Sequence, residues 1–128
     1  MTSVSSTTPH IVSLSPEEFV QLASPPRLLD VRTSVEYRSF HAPTALNLSM
    51  QRILLSQIPW LQNWVLPRWF RALPKDEPLA VVCLTSHRSP IVAKALVKLG
   101  FSNIFNISGG MMSWKKAALP IQNNKSSQ

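Results

Sequence analysis

The sequence contains a single cysteine, Cys83, among 128 residues, and none of its six acidic residues lies after Glu77. One cysteine excludes an internal disulfide, so we expect a cytoplasmic protein with a reduced thiol. The three histidines and the cysteine lack the spacing of metal ligands, and neither a metal nor another cofactor is expected. No apolar run approaches the length of a membrane span, and the first eight residues lack the basic and apolar regions of a signal peptide.

The length and composition predict one domain. A chain of 128 residues, 45% of them hydrophobic, can bury a single core without disulfide or metal cross-links. We expect residues 1–9, which are rich in serine and threonine, to be a flexible N-terminal segment. The predicted domain covers residues 10–120, and residues 121–128 form a polar C-terminal tail.

The charge is unevenly distributed along the chain. The net charge is +7, and every charged residue after Glu77 is basic. Such a charge distribution can steer small anions toward Cys83, although most individual lysines are expected simply to be solvated. Nucleic-acid binding is the competing interpretation, but no nucleic-acid motif or alternating aromatic and basic stripe surrounds these lysines. We therefore expect no nucleic-acid partner.

The most informative stretch is LAVVCLTSHRSP, residues 79–90. Its apolar start is typical of a strand buried on both faces of a parallel sheet, and this strand ends at Cys83. Ser89 and Pro90 predict a helix start, with the serine as N-cap and the proline at the first helical position. A lone thiol and Arg88 therefore lie at the two ends of a tight strand-to-helix loop.

This placement favours the thiolate form of Cys83. Helix N-terminal N–H groups, inward-pointing loop amides and a neighbouring guanidinium all lower the pKa of a thiol. The alternative is that Cys83 is inert, because a free cysteine that ends a core strand is usually only a packing residue. Arg88 and the helix start shift the interpretation toward a nucleophile.

The loop from Cys83 to Ser89, Cys-x4-Arg-Ser after a buried strand, resembles the active-site loop of the rhodanese-like sulfurtransferases. Two further segments resemble signatures of that family in the right order: Leu28-Leu29-Asp30-Val31-Arg32 with Glu36, Tyr37 and His41 before the loop, and Gly100 to Ile104 with Gly109, Gly110 and Trp114 after it. The predicted fold is an α/β, three-layer rhodanese-like domain with a mostly parallel central sheet flanked by helices on both faces.

The resemblance implies transfer of sulfane sulfur in two half-reactions. The Cys83 thiolate takes a sulfur from thiosulfate or a persulfide donor, and a thiol acceptor or partner protein then removes it. The resulting Cys83 persulfide would be held by backbone N–H groups of residues 84–88. The expected catalytic pair is Cys83 and Arg88, with Arg88 positioning the anionic donor or bracing the loop. The expected substrate-binding residues are Leu84, Thr85, Ser86, His87 and Ser89.

Within this loop, the Thr85 and Ser86 hydroxyls are expected to donate to the bound anion. His87 is expected to be an exposed loop residue rather than a proton carrier. Three further residues are expected to be structural and close to the site. They are Asp30 and Arg32, which are expected to form an ion pair, and His41, which is expected to be hydrogen-bonded.

Two other functions compete with this one. Phosphatases of related fold resemble Cys-x5-Arg, with a longer loop that has room for a tetrahedral phosphate, so Cys-x4-Arg makes a phosphatase improbable. A non-catalytic module that carries persulfide sulfur or senses redox state is the stronger alternative. The sequence does not separate a slow enzyme from such a carrier.

The sequence departs from the family pattern where glycine is usual, namely before His41, at Thr44 and at Ser86. These glycines commonly permit unusual backbone angles. A serine in the left-handed conformation costs roughly 1 kcal/mol or more, so the loop around Ser86 is expected to differ slightly in shape.

The segment 51–73 is the most individual part of the chain. Apolar residues at three- and four-residue steps predict a helical core face, and two prolines predict two or three short helices. That predicted face comprises Leu54, Ile58, Leu61, Val65, Trp69 and Leu73. The three tryptophans Trp60, Trp64 and Trp69 suggest a contact with a protein or a membrane surface. The favoured interpretation is that the segment covers one face of the sheet.

Overall fold

The computed structural model describes residues 10–123, so the predictions for residues 1–9 and for most of the polar tail lie outside the described residues. The five strands are β1 (His10–Leu14), β2 (Arg27–Asp30), β3 (Leu46–Asn47), β4 (Leu79–Val82) and β5 (Asn103–Ile107). The helices are α1 (Pro16–Val20), α2 (Ser34–Ser39), α3 (Met50–Leu55), α4 (Gln62–Val65), α5 (Arg68–Arg71), α6 (Ser89–Lys98) and α7 (Gly110–Lys116), with a 3-10 turn at Pro59–Leu61.

The strands form one five-stranded sheet in the order β1-β5-β4-β2-β3, and each neighbouring pair is parallel. Strand β4 occupies the centre, where its residue Leu79 pairs with Arg27 of β2 and Ile104 of β5. In parallel α/β sheets the carboxyl ends of the strands carry the ligand site. The residue after β4 therefore lies at the middle of that edge.

The side chains of β4 point alternately to the two faces of the sheet. Each face carries one apolar cluster, as the predicted three-layer architecture requires. Leu79, Val81 and Cys83 belong to the cluster that packs against α3 and α6. Ala80 and Val82 face the other way, into the cluster that includes residues of α1 and α7. All four residues of β4 are buried, because helices cover both faces.

The predicted core face of the segment 51–73 is correct only in part. Val65 and Leu73 pack against the core as predicted, but the predicted Leu54, Ile58 and Trp69 are exposed. The fully buried apolar side chains of the segment are instead Ile53, Leu66 and Phe70. The reason is that Pro59 and Pro67 divide the segment into short helices, and each break changes the helical phase. A single 3.6-residue stripe therefore does not persist through the segment.

The structural residues near the sheet edge behave as predicted. Asp30 and Arg32 are fully buried and form an ion pair of 2.8 Å, and Arg32 also donates to the carbonyl of Phe40. His41 is buried, stacks on the Tyr37 ring at 3.8 Å between centroids, and hydrogen-bonds the Tyr37 carbonyl through Nδ1. These residues therefore serve the scaffold next to the site, as the sequence predicts.

The turn that lacks the family's glycines is built without left-handed residues. Phe40, which precedes His41, has an extended φ of −169°. His41 exchanges two backbone hydrogen bonds of 2.8 Å with Gln122. The chain thus remains attached to the domain two residues beyond the predicted boundary at Pro120. Within residues 10–123 no helix is long and apolar enough to cross a membrane.

Candidate active site

The loop that follows β4 is held in place by the start of α7. The N–H of Met111 donates to the carbonyl of Cys83 at 2.7 Å, and the N–H of Met112 donates to the carbonyl of Leu84 at 3.0 Å. Gly110 permits this approach, because a Cβ there would come within 2.5 Å of the Leu84 carbonyl oxygen. The first turn of α7 therefore fixes the first two residues of the loop.

Loop amides point inward toward the sulfur of Cys83. The N–H of Ser86 donates to Sγ at 3.0 Å, and the N–H of Ser89 donates to it at 3.4 Å. Only 1% of Cys83 is exposed, so the sulfur lies beneath the loop and not at its surface. Of the N–H groups of residues 84–88 that are predicted to surround the sulfur, those of Ser86 and Arg88 reach it, and the N–H of Ser89, which lies outside that range, does so as well.

Ser86 adopts a φ of +73°, the left-handed conformation expected where the family usually has glycine. This conformation turns its N–H toward Cys83. Its hydroxyl donates to the carbonyl of Ile107 at 3.2 Å, so the expectation that this hydroxyl faces the bound anion is not met. Ser86 thus contributes its backbone, not its side chain, to the sulfur site.

The prediction that Ser89 is the N-cap of α6 is wrong. The N-cap position is Arg88, which makes no side-chain capping bond, and Ser89 is the first residue of the helix. The Ser89 side chain is fully buried, and its Oγ lies 3.6 Å from the sulfur of Cys83, whose thiol donates to it. The hydroxyl itself donates to Oδ1 of Asn106. The serine is therefore buried in the site instead of capping the helix in solvent.

Asn106 is a site residue that the sequence interpretation missed. It is buried in β5 and supports the hydroxyl that contacts the sulfur. A signal was present, because an amide side chain between the apolar residues of a strand needs a hydrogen-bond partner when it is buried. The partner itself, Ser89, is seventeen residues away and could not be named from spacing.

The environment lowers the pKa of Cys83. Burial of the thiol raises the pKa, but its hydrogen bonding with the Ser89 side chain and with the backbone N–H groups of Ser89, Arg88 and Ser86 outweighs that effect. The net shift is toward the thiolate, as predicted. A buried sulfur with a lowered pKa differs from the inert core cysteine that was the alternative.

Arg88 is paired with an acidic side chain of another element. Its guanidinium forms a two-bond ion pair with Glu36 of α2, at 2.8 and 3.0 Å. The hydrogen bond from Arg88 lowers the pKa of Glu36 to about 2. Glu36 also accepts the backbone N–H of Thr33 at the N-terminus of α2. Of the two predicted roles for Arg88, the contacts match bracing of the loop.

Comparison with known proteins agrees with this geometry. The family profile of the rhodanese-like domain matches residues 15–117. The chain belongs to the rhodanese-like domain family. A sulfurtransferase of Allochromatium vinosum is 29% identical over 94 residues, covering 73% of this chain and 76% of the relative. The thiosulfate sulfurtransferase GlpE of Pseudomonas syringae is 30% identical over 88 residues, covering 69% and 71% respectively.

Longer relatives and solved structures also match this rhodanese-like domain. The chain spans 57% of rhodanese-like domain-containing protein 14, a chloroplastic protein of Arabidopsis thaliana, at 27% identity and with 74% of this chain covered. The crystal structure of a rhodanese-related protein from Thermoplasma volcanium superposes with a TM-score of 0.68 at 22% identity, covering 87% of this chain and 97% of that one. This likeness confirms the predicted fold.

The remaining predicted site residues lie at the rim of the rhodanese-like loop. Thr85 and His87 are exposed and hydrogen-bond each other at 2.7 Å through Oγ1 and Nδ1. Leu84 is half-buried and packs against the cluster that includes α7. The structure thus brings Cys83, Ser86 and Ser89 together and leaves Thr85 and His87 outside this group.

Proposed function

We propose that this rhodanese-like domain is a sulfurtransferase that moves sulfane sulfur from thiosulfate or a persulfide donor to a thiophilic acceptor through a Cys83 persulfide. The observation that supports this most directly is the convergence of the Ser86 and Ser89 N–H groups on a single buried sulfur. Donors so placed stabilise negative charge on a sulfur without the cost of reorganising water.

The first half-reaction is a displacement at sulfur. The Cys83 thiolate attacks the outer sulfur of thiosulfate, a new S–S bond forms, and the old S–S bond breaks. Sulfite leaves with the electron pair of that bond, and Cys83 becomes a persulfide with its negative charge on the terminal sulfur. The lowered pKa of Cys83 supports this step, because the thiolate is the attacking form.

The second half-reaction restores the thiolate. A nucleophilic acceptor attacks the terminal sulfur of the persulfide, the S–S bond breaks, and the Cys83 thiolate leaves with its electron pair. Cyanide would give thiocyanate in an assay, whereas a small thiol or a partner protein would give a new persulfide in the cell. We place this chemistry in the cytoplasm, because a reduced thiol is needed to begin each cycle.

Loop residues have distinct roles in this proposal. The amides of Ser86 and Ser89 hold the reacting sulfur, and the Arg88–Glu36 ion pair holds the C-terminal end of the loop against α2. A donor enters past the loop that covers Cys83, since only 1% of this residue is exposed. Loop opening therefore precedes each half-reaction.

A non-catalytic persulfide carrier or redox sensor is the second candidate. The burial of Cys83 supports it, because a sulfur held beneath a loop exchanges slowly with small acceptors. A phosphatase is disfavoured on two counts. The Cys-x4-Arg loop is too short for a tetrahedral phosphate, and Arg88 is already paired with Glu36.

A turnover assay tests the proposal. Wild-type protein is incubated with thiosulfate and cyanide, and thiocyanate is measured against Cys83→Ser and against Thr85→Ala, whose hydroxyl pairs with His87 outside the sulfur site. Sulfurtransferase activity predicts thiocyanate from the wild type and from Thr85→Ala, and none above background from Cys83→Ser. Absence of multiple turnover would favour the carrier, and activity in Cys83→Ser would contradict the proposal.

A further inference from the structure

The outer surface of the segment 50–71 carries unusually exposed aromatic side chains. Trp64 is 84% exposed and Trp60 is 77% exposed, the two highest values among the exposed large hydrophobic side chains of residues 10–123. Leu55 and Ile58 are exposed nearby in sequence. We call these four residues the tryptophan face. Single exposed apolar residues are common, but two protruding indoles with aliphatic neighbours are typical of a contact surface.

Local geometry explains why the indoles point outward. The 3-10 turn at Pro59–Leu61 runs directly into α4, so Trp60 and Trp64 lie about one turn apart on the same side. Leu61 and Val65 follow them by one position and are partly buried, and Val65 packs against the core. The inward side of this short helical run is therefore already occupied, and the indoles are not needed to complete the core.

The segment that carries the tryptophan face has charges of one sign. Arg52, Arg68 and Arg71 are exposed in the same segment, and no acidic residue lies between Glu36 and Asp76. Within residues 10–123 none of these three arginines has a carboxylate within 4.0 Å, since the ion pairs found there are Asp30–Arg32 and Glu36–Arg88. The face therefore combines apolar aromatic rings with uncompensated positive charge.

This combination distinguishes between possible occupants. Two copies of the chain in contact through this face would bring like charges together, which opposes self-association. A protein partner needs a complementary pocket for each indole ring. The interface of a bilayer accepts protruding indoles without such pockets, and anionic headgroups attract neighbouring arginines. We propose that the tryptophan face binds the surface of an anionic lipid bilayer, so that the domain acts as a peripheral membrane protein.

In this arrangement Trp60 and Trp64 enter the headgroup region, and Arg52, Arg68 and Arg71 lie among the anionic headgroups. The face is formed by elements other than the Cys83 loop and α7, which hold the sulfur site. Binding is therefore expected whether or not the domain transfers sulfur, and the inference does not rest on the proposed function.

Vesicle co-sedimentation tests the inference with the full chain. Vesicles of phosphatidylcholine alone are compared with vesicles that contain phosphatidylglycerol, at low and high salt. We expect binding to the anionic vesicles only, weakened by salt, because screened charges attract less. We expect the double variant Trp60→Ser, Trp64→Ser to lose about tenfold or more in partitioning, as removal of two interfacial anchors implies.

Matched controls use exposed residues elsewhere. Val35→Ser removes an exposed apolar side chain on α2, and Lys98→Gln removes an exposed positive charge on α6, and both are expected to bind like the wild type. Arg68→Gln, which removes one exposed positive charge from the same segment, is expected to weaken binding and its salt dependence. Because Trp60 and Trp64 are exposed, the double variant is expected to keep the wild-type melting temperature, which confirms that it folds.

Three results would overturn the proposal. The first is no binding of the wild type to anionic vesicles at low salt. The second is equal binding by the double tryptophan variant. The third is a wild-type dimer that the tryptophan variant abolishes, which would assign the face to a second copy of the chain.

Discussion

The backbone N–H of Ser86 lies 3.0 Å from the sulfur of Cys83 because Ser86 adopts a φ of +73°. This conformation is unfavourable for any residue with a Cβ. The loop therefore uses a strained serine to direct an amide at its only cysteine. The strain is local, and the hydroxyl offsets part of it by donating to the carbonyl of Ile107.

Replacement of Ser86 by glycine and by alanine separates the strain from the hydroxyl. Both variants lose the bond to Ile107, but only alanine keeps the backbone strain. We expect Ser86→Gly to be more stable than Ser86→Ala by about 1 kcal/mol. Chemical denaturation of the two variants measures the difference. Equal stability would show that the left-handed conformation of residue 86 carries no cost.

Gly110 determines how closely α7 approaches the loop. Gly110→Ala would place a Cβ against the Leu84 carbonyl and is expected to cost about 2–4 kcal/mol in unfolding free energy, from overpacking and strain together. It is also expected to slow alkylation of Cys83, because displacement of the loop moves the Ser86 N–H away from the sulfur and so disfavours the reactive thiolate. Gly100→Ala is the control. Its φ of +111° is equally unsuited to alanine, but a Cβ there would meet only the Lys75 side chain, at an ordinary contact distance of 3.8 Å, so the variant loses stability without altering thiol reactivity.

Glu36 is expected to hold Arg88 in place. Glu36→Gln removes the charge of the ion pair, and we expect a loss of about 0.5–1 kcal/mol in unfolding free energy, as for a partly exposed pair. We expect a fall in turnover of up to about tenfold. Glu18→Gln is the matched control, because Glu18 caps α1 through Ser15 as Glu36 caps α2, but has no arginine partner within residues 10–123.

The pH dependence of the Glu36 effect has a definite sign. The pKa of Glu36 is lowered from 4.5 to about 2 in the folded state, so its carboxylate stabilises the fold above about pH 4.5. This contribution is lost as the pH falls from about 4.5 to 2. The stability difference between wild type and Glu36→Gln is therefore expected to shrink over that range. A difference that stays constant down to pH 2 would contradict the assignment.

Ser89 is expected to set part of the reactivity of Cys83. Its hydroxyl and its N–H both lower the pKa of the thiol, so Ser89→Ala is expected to raise that pKa. The rate of alkylation by iodoacetamide, followed against pH, measures it, and the midpoint should move to higher pH in the variant. Thr85→Val should leave the midpoint unchanged, because the Thr85 hydroxyl faces His87. A shift in both variants, or in neither, would argue against a specific role for Ser89.

The central strand, the loop and the parallel sheet could be predicted because local signals agree there. The apolar run before Cys83 corresponds to β4, buried on both faces, and the fold class follows from such a strand and the helix after it. Asp30 and Arg32 could also be paired in advance, because a buried charge requires a near partner. These features depend on residues that are close in sequence.

Contacts between distant residues could not be predicted. Ser89 and Pro90 have the pattern of a helix cap, but tertiary packing buries Ser89 against Asn106 and Cys83, and local spacing carries no sign of that. The loop motif places Arg88 in the site, but nothing in the sequence identifies its ion-pair partner Glu36, which is fifty-two residues away. The core face of the segment 51–73 could be predicted only in part for a different reason, since the helical phase changes at Pro59 and Pro67.

The account depends most on sulfur being carried by Cys83, and mass spectrometry of the protein after thiosulfate treatment tests this directly. The predicted result is a gain of one sulfur atom on the peptide that contains Cys83, its removal by cyanide, and no gain in Cys83→Ser. A wild-type protein that gains no sulfur, or an equal gain in Cys83→Ser, would contradict the account.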